Sequence, residues 1–326
     1  MTLDFERAPK VSIVVVSYNT RDMTLECLRS IVAETDLPHE IVVVDNASGD
    51  GSAEAIAAEF PSIRLLAERR NHGFALANNI AADICRGEYI LLLNPDTVVL
   101  DHAVDRLVAF AAARPDAMIW GGRTLYGDGS LNTTNCWRRM TLWSLLSQAA
   151  GLNSIFRNSA VFNPEAYGGW PRNSEREVDI VTGCLLLIER ATWQQLGGFD
   201  PTYVMYGEEA DLCLRARALG ARPRISPEVE IVHYKGASEK IRADKLIRLM
   251  RAKISLIDAH FPMASRPLGR FLFALWPLSR HIYATLLGRG EARATWYEVW
   301  RRRSEWRSGW PPVARPAMAP PPRSTV

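Results

Sequence analysis

The chain has 326 residues, 48% of them hydrophobic and 23% charged, with a formal net charge of +3. That length suits one large α/β domain with an appendage, or two domains, and such a core needs no disulfide staples. The near-neutral total excludes a globally basic nucleic-acid binder. It also hides a split: residues 242–326 carry 16 Lys/Arg against 5 Asp/Glu, and residues 1–241 carry 23 against 31. An acidic body joined to a basic tail predicts two tasks in one chain.

The run at 11–17 (VSIVVVS) is short, continuous and β-branched, which predicts a strand buried on both faces. Residues 24–32 have helical spacing of Leu25, Leu28 and Ile31, and 41–45 (IVVVD) is a second buried strand. A helix at 52–60, a weaker strand at 63–67, an Ala-rich helix at 75–85, a strand at 89–93 (YILLL) and a helix at 103–113 complete a βαβαβαβα series. Such alternation predicts a mostly parallel sheet with helices on both faces. After Pro115 the pattern loosens. Residues 121–137 read as polar turns, and 141–156 as a partly apolar helix or a mobile segment. Then come a strand at 178–188, a short helix at 191–196, a helix at 208–219 and short strands at Ile225 and 229–232. Beyond Ile241 the chain reads as helical, basic and amphipathic, and 310–326 as a disordered Pro-rich tail. The five cysteines form no CxxC pair and no zinc spacing, so they read as small buried residues of a reducing compartment. No apolar segment precedes Val11, which predicts no cleaved signal peptide, and no run is long and apolar enough to predict a transmembrane helix.

Ligands of doubly wound sheets bind at the carboxyl ends of the strands. The first strand ends in Ser17-Tyr18-Asn19-Thr20, the second in Asp45-Asn46-Ala47-Ser48 and the fourth in Asn94-Pro95-Asp96-Thr97. Any one tip is ordinary turn chemistry; three on one sheet edge point to joint function. No dinucleotide glycine fingerprint and no P-loop follow the first strand. Asp45 suits the N3–H of a pyrimidine base, and Asp96 suits a hard divalent cation, Mn²⁺ or Mg²⁺, that bridges diphosphate oxygens. Asn71, Gly73 and the helix after them offer neutral donors and acceptors and a close backbone approach. Glu208, Glu209 and Asp211 place three carboxylates at a helix start, which is ordinary dipole chemistry for one or two of them and a general-base candidate for a third. His233 ends an apolar run and is a candidate metal ligand.

These residues, in this order, resemble an inverting family 2 glycosyltransferase of the GT-A fold, most of all its bacterial rhamnosyltransferase branch. VSIVVVSYN, IVVVDNASGDGS, NHGFALANN, LLLNPDT, TGCLLLIER, GGFD and GEEADLCLRAR carry the resemblance, which spans roughly residues 9–238. It implies a GT-A domain over 1–240, with a nucleotide-binding half at 9–115 and an acceptor half at 116–240; the helical basic extension at 241–309 lies beyond the resemblance. It implies that Ser17, Tyr18, Asn19 and Asp45 hold the nucleoside, that Asn71 and Gly73 lie near ribose or diphosphate, and that Asn94 and Asp96 form the metal motif. Many members have Asp-x-Asp there; this chain has Asn94-Pro95-Asp96, and His233 stands as the other metal ligand. By alignment Glu209 takes the place of the catalytic Asp, with Glu208 and Asp211 remaining as candidates for catalysis or acceptor binding.

The implied reaction is transfer of a sugar, dTDP-L-rhamnose being the first choice of donor, to a saccharide hydroxyl in cell-envelope polysaccharide synthesis. Galactofuranose, glucose or N-acetylglucosamine are the alternative sugars. A sugar-phosphate nucleotidyltransferase would need a Gly-rich basic loop in place of Tyr18-Asn19-Thr20, and an inactive binding protein would not need the carboxylates. Arg and Lys interleaved with Leu, Phe and Trp over 242–310 fit either helices packed on the domain or an interfacial contact with anionic membrane. The latter suits a lipid-linked acceptor at the inner face of the cytoplasmic membrane, with no nucleic acid as partner.

Overall fold

A computed structural model describes residues 8–234 and 242–313. The first half alternates as expected: β1 (Val11–Ser17), α1 (Arg21–Glu34), β2 (His39–Asp45), α2 (Ser52–Glu59), β3 (Arg64–Ala67), α3 (Gly73–Asp83), β4 (Tyr89–Leu93), β5 (Thr97–Val99) and α4 (Ala103–Ala113). The middle holds β6 (Ile119–Leu125), β7 (Leu131–Asn132), β8 (Cys136–Trp137), α5 (Leu142–Ala149), α6 (Leu152–Ile155), β9 (Arg176–Glu177), β10 (Ile180–Val181), β11 (Leu185–Glu189), α7 (Arg190–Leu196), α8 (Glu208–Ala218) and β12 (Arg224–His233). Four helices follow: α9 (Arg242–His260), α10 (Arg266–Leu286), α11 (Gly290–Arg301) and α12 (Arg303–Trp306).

The main sheet runs β3-β2-β1-β4-β11-β6-β12-β5. Strands β1 to β4 are mutually parallel and in register, with Ser17 opposite Asp45 and Val15 opposite Leu93. The period of two along these strands sorts their side chains to two faces. Val14, Val16, Val42 and Val44 pack with α3, α7 and α8; Ile13, Val15, Val43 and Leu91 pack with α1, α2 and α4. β-branched side chains at successive positions make both faces apolar, so the helices must cover both. All five cysteines are free and buried.

Three elements differ from the sequence reading. The polar stretch at 121–137 contains most of β6, a central strand. Its signature is masked by Gly121 and Gly122. A Cβ on Gly121 would lie 2.6 Å from Val181 Cγ1, and one on Gly122 would lie 2.5 Å from the Val229 carbonyl oxygen. The glycines are there because neighbouring elements fill the space of their side chains. The apolar run at 178–188 is not one strand. It breaks at Gly183: β10 pairs with β8 in a separate two-stranded sheet, and β11 enters the main sheet between β4 and β6, antiparallel to both. The two short strands at Ile225 and 229–232 are one strand, β12, with an irregular register between Ile225 and Glu230 around Pro227.

The basic extension is helical and is packed on the rest. Ala252 and Leu256 of α9 belong to the same buried cluster as Ala210 and Leu212 of α8. Leu145 of α5 joins Met250, Ile257, Phe273, Val299 and Trp306 in a further buried cluster. Beyond α12, the Trp310 backbone N–H donates to Ser255 Oγ (2.8 Å), and the Arg251 guanidinium lies over the Trp310 ring, 4.6 Å from its centre. Residues 314–326, the rest of the stretch read as disordered, lie outside the described residues. Among the described residues no helix is long and apolar enough to cross a membrane.

Trp306 is fully buried, and its indole N–H donates to the Val299 carbonyl (3.0 Å). Trp306→Ala therefore loses transfer energy and leaves a cavity, costing about 3–5 kcal/mol. Urea denaturation checks this, and a midpoint equal to the parent's would show that the extension adds nothing to the fold.

Candidate active site

The parallel register brings the ends of β1, β2 and β4 to one edge of the sheet. At the first tip, Ser17 is buried and its hydroxyl meets those of Thr24 (2.9 Å) and Thr20 (3.2 Å), so it supports the turn from beneath. Tyr18 is exposed beside it. Asn19 sits at φ 54°, in the left-handed region that Asn tolerates. Its backbone N–H donates to Ser48 Oγ (2.9 Å), and its own side-chain oxygen accepts from the Gly49 N–H (2.8 Å). Asn19 thus ties the first loop to the second.

At the second tip, Asp45 is buried. One carboxylate oxygen accepts from the Ser48 N–H (3.1 Å); the other, Oδ1, is buried with no partner in the protein. A buried carboxylate oxygen left unpaired is costly unless a ligand supplies the donor. Asn46, which the sequence reading passed over, does the joining here. Its amide donates to Asn71 Oδ1 (3.0 Å) and the Gly73 carbonyl (3.2 Å), and its oxygen accepts from the His72 N–H (2.8 Å). Gly73 has φ 76°, and a Cβ on it would sit 2.7 Å from the Val204 carbonyl oxygen. Only glycine lets the α3 start approach the segment leading to α8 this closely.

At the third tip, Asp96 Oδ1 lies 3.3 Å from His233 Nε2, and the Asn94 amide lies 3.5 Å from the same nitrogen. Strand β12 brings His233 there by pairing with β5, His233 opposite Thr97. Burial alone lowers the imidazole pKa; the hydrogen bond to the Asp96 carboxylate, together with Cys184, outweighs burial and raises it to about 10. His233 is therefore a cation while it faces Asp96 alone, and it ligates a metal only by giving up that proton. Among the described residues no group of three His, Cys, Asp or Glu side chains could hold a metal ion. The Asp96–His233 pair nevertheless fits a divalent cation as a partial site. One ion can touch a carboxylate oxygen and an imidazole nitrogen at that spacing, and Mg²⁺ or Mn²⁺ commonly completes its shell with phosphate oxygens and water.

The second half of the chain closes on this edge through Cys184, whose carbonyl accepts from the Asn94 N–H (3.3 Å), and through Gly183, which faces the Phe74 ring. Asn79 of α3 exchanges two hydrogen bonds with the backbone of Phe199, both 2.9 Å. Beyond that loop, Gly207 at φ 90° turns the chain into α8. Glu208 is buried and Glu209 half-buried, and an Oε2 of each is sealed from solvent without a partner. Burial raises the pKa of both carboxyl groups, and the charge of Glu209 raises that of Glu208 further. Two adjacent carboxyls of this kind share protons as a pair.

Asp211 differs. It is fully buried, Oδ1 accepts from His260 Nε2 (2.8 Å), and Oδ2 accepts from Arg215 Nε (2.7 Å). Burial pushes its pKa up, but the hydrogen bond from His260 and the Arg215 guanidinium outweigh that and hold it low. The same guanidinium donates to the carbonyls of Leu196 and Gly198, both 2.8 Å. Asp211 thus fixes α8 to α9 and to the Gly197-Gly198 turn, with neither oxygen left over for a proton transfer. Arg215 was readable from its i+4 spacing to Asp211; His260, 49 residues away, had no local signal.

The raised carboxyl pair has a consequence for stability. A folded-state pKa above the ordinary 4.5 means that the native chain keeps its proton longer than the unfolded chain. Stability is therefore highest below that value and falls as pH rises toward the folded pKa. Glu208→Gln removes the ionisation, so its melting temperature relative to the parent should climb from acidic to neutral pH. A difference that does not vary with pH would contradict the raised pKa.

Residues 12–168 match the family model described as "Glycosyl transferase family 2". The chain is 28% identical over 252 residues to an N-acetylglucosaminyl-diphospho-decaprenol L-rhamnosyltransferase of Mycobacterium tuberculosis, covering 69% of this chain and 76% of that one. It is 26% identical over 235 residues to the rhamnosyltransferase WbbL of Escherichia coli, covering 69% and 83%. In three dimensions it is similar to a mannosyltransferase from Pyrobaculum calidifontis, solved in complex with GDP-Man and Mn²⁺. The TM-score is 0.55 at 20% identity, over 93% of this chain and 85% of that one. Residues 12–168 thus form a family 2 glycosyltransferase domain, on the GT-A fold, and the protein is a glycosyltransferase.

Proposed function

We propose that the protein transfers a sugar, with inversion, from a nucleoside diphosphate donor to a hydroxyl of a saccharide acceptor. The donor we favour is dTDP-L-rhamnose, because the two relatives named above are rhamnosyltransferases. The acceptor we favour is a lipid-linked saccharide at the inner face of the cytoplasmic membrane, by analogy with the diphospho-decaprenol substrate in the name of the mycobacterial relative.

One observation carries the reading. Buried carboxyl oxygens without partners stand on both sides of a single junction: Asp45 Oδ1 on the sheet edge, and Glu208 and Glu209 at the start of α8. The junction is the contact of Gly73 with Val204. Asp45 Oδ1 would accept the ring N–H of a pyrimidine base, with Asn19 and Ser17 holding the loop in place. Asn71 and Gly73 would lie along the ribose and diphosphate. Asp96 and His233 would hold a divalent cation, Mn²⁺ or Mg²⁺, which when bound offsets negative charge on the departing diphosphate.

On the other side, the acceptor oxygen attacks the anomeric carbon opposite the diphosphate. The new C–O bond forms as the bond to the diphosphate breaks, through an oxocarbenium-like transition state. Glu209 takes the acceptor proton on its free oxygen. Glu208, the more buried of the two, stays neutral and so leaves the pair with one charge. A carboxyl whose pKa has been raised is a stronger base once ionised, which suits proton removal from an alcohol. Asp211 is a positioning residue, since both its oxygens already accept hydrogen bonds.

Glu209→Gln keeps the shape and removes the base. Turnover should fall by about 10²- to 10⁴-fold, while titration of donor nucleotide gives the parent affinity. Undiminished turnover would remove Glu209 from the mechanism. Loss of nucleotide affinity instead would place it in the donor site.

A further inference from the structure

Away from the sheet edge, a cavity of about 340 Å³ lies between α6, the end of α10 and the start of α11. Arg157, Arg280 and Arg289 line it, and no carboxylate does. Arg280 is half-buried, and its guanidinium donates only to neutral oxygens, those of Asn153 and Ser154. Arg157 donates to the Ser154 carbonyl (3.2 Å). Among the described residues none of the three arginines is ion-paired. Three other arginines of the extension are matched: Arg270 with Asp258, Arg301 with Glu298, and Arg302 with Asp244 and Glu305. Burial lowers the pKa of Arg280 and the charge of Arg157 lowers it further, the mark of a buried cation without a counterion. Such a site is stabilised by an anion, and guanidinium forks match phosphate.

The rim of this cavity is apolar and faces solvent. Ile155 is 71% exposed, Leu286 76% and Leu287 64%, with Tyr283 and Phe156 exposed near them. The Tyr283 hydroxyl donates to the Ala150 carbonyl (3.1 Å), which joins the end of α10 to the end of α5 and makes the two apolar segments one surface. Cationic depth beneath an exposed apolar rim fits an amphiphile that carries its negative charge at the headgroup.

We propose that this face docks on a membrane, with the phosphate of an anionic phospholipid in the cavity and Ile155, Leu286 and Leu287 in the acyl boundary. The inference deepens the membrane-linked part of the proposed function and uses none of the donor-site residues, so the two can fail separately.

The test is flotation of the full chain with vesicles of phosphatidylcholine alone or mixed with phosphatidylglycerol. The expected result is binding to the mixed vesicles and little to phosphatidylcholine. Arg157→Gln/Arg280→Gln should weaken binding about 30-fold, fivefold for each charge at ~1 kcal/mol per basic residue near an anionic surface. Leu286→Ser/Leu287→Ser, at exposed positions that do not endanger the fold, should weaken it by about tenfold or more. Nucleotide titration without vesicles reports on the donor site and should stay at the parent value in both variants. Equal binding to both kinds of vesicle, or parent-level binding by the leucine variant, would overturn the proposal. Parent-level binding by the arginine variant would also overturn it, since the headgroup phosphate would then not lie against Arg157 and Arg280.

Discussion

A strand buried on both faces has no room along its length for an unpaired polar side chain. In this chain β1, β2 and β4 are such strands, and apart from the hydrogen-bonded Ser12–Glu40 pair near the amino ends their polarity is displaced to their carboxyl ends. Because the three are parallel and in register, those ends share one edge. The same constraint that makes the sheet a core makes its carboxyl edge a collection of Ser17, Asn19, Asp45, Asn94 and Asp96. The rest of the molecule is arranged around that edge. Strand β12 returns to deliver His233, and the turn at Gly183 sets Cys184 against Asn94.

The second half is held to the first by polar bonds of a different kind. Asp211, buried and ionised, takes its two hydrogen bonds from His260 and Arg215. A buried charge of this sort is tolerated only when fully satisfied, and breaking it is costly. It therefore fixes the direction of α8, and with it the placement of Glu208 and Glu209, by reference to α9 and the Gly197-Gly198 turn. The basic extension is in this sense part of the catalytic body: one of its histidines holds the helix that carries the proposed base. Its charge is also less free than the count of 16 Lys/Arg suggests, because several arginines are consumed in pairs within the extension. What remains unpaired at the cavity beside α6 and α10 is the more informative part of that charge.

Much of the first half was legible in sequence because its signals are local. The β-branched runs, the intervening helical spacing and the polar tips all sit within a few residues of one another, and β4 at 89–93 and α4 at 103–113 fall where the pattern puts them. The middle was less legible because its determinants are tertiary. β6 carries Gly121 and Gly122 where neighbouring Val181 and Val229 occupy the side-chain space, so it lacks the composition of a strand. The run at 178–188 looks uniform, yet the Gly183 turn divides it between two sheets. In the candidate site, Asp45, Asp96, Glu208, Glu209 and His233 were readable as candidates, since each ends a strand, opens a helix or, for Asp96, lies in the turn just after a buried strand. Asn46 was hidden behind Asp45, although it ties the second tip to Asn71 and Gly73. His260 was hidden by distance along the chain.

We propose that the strand tips form one donor site in which Asp96 and His233 supply the protein's share of a metal shell. Calorimetric titration of nucleoside diphosphate into the protein, with and without manganese, tests it most directly when repeated on Asp96→Ala. Manganese should strengthen binding to the parent and have no effect on the variant. A manganese effect of equal size in both would contradict it.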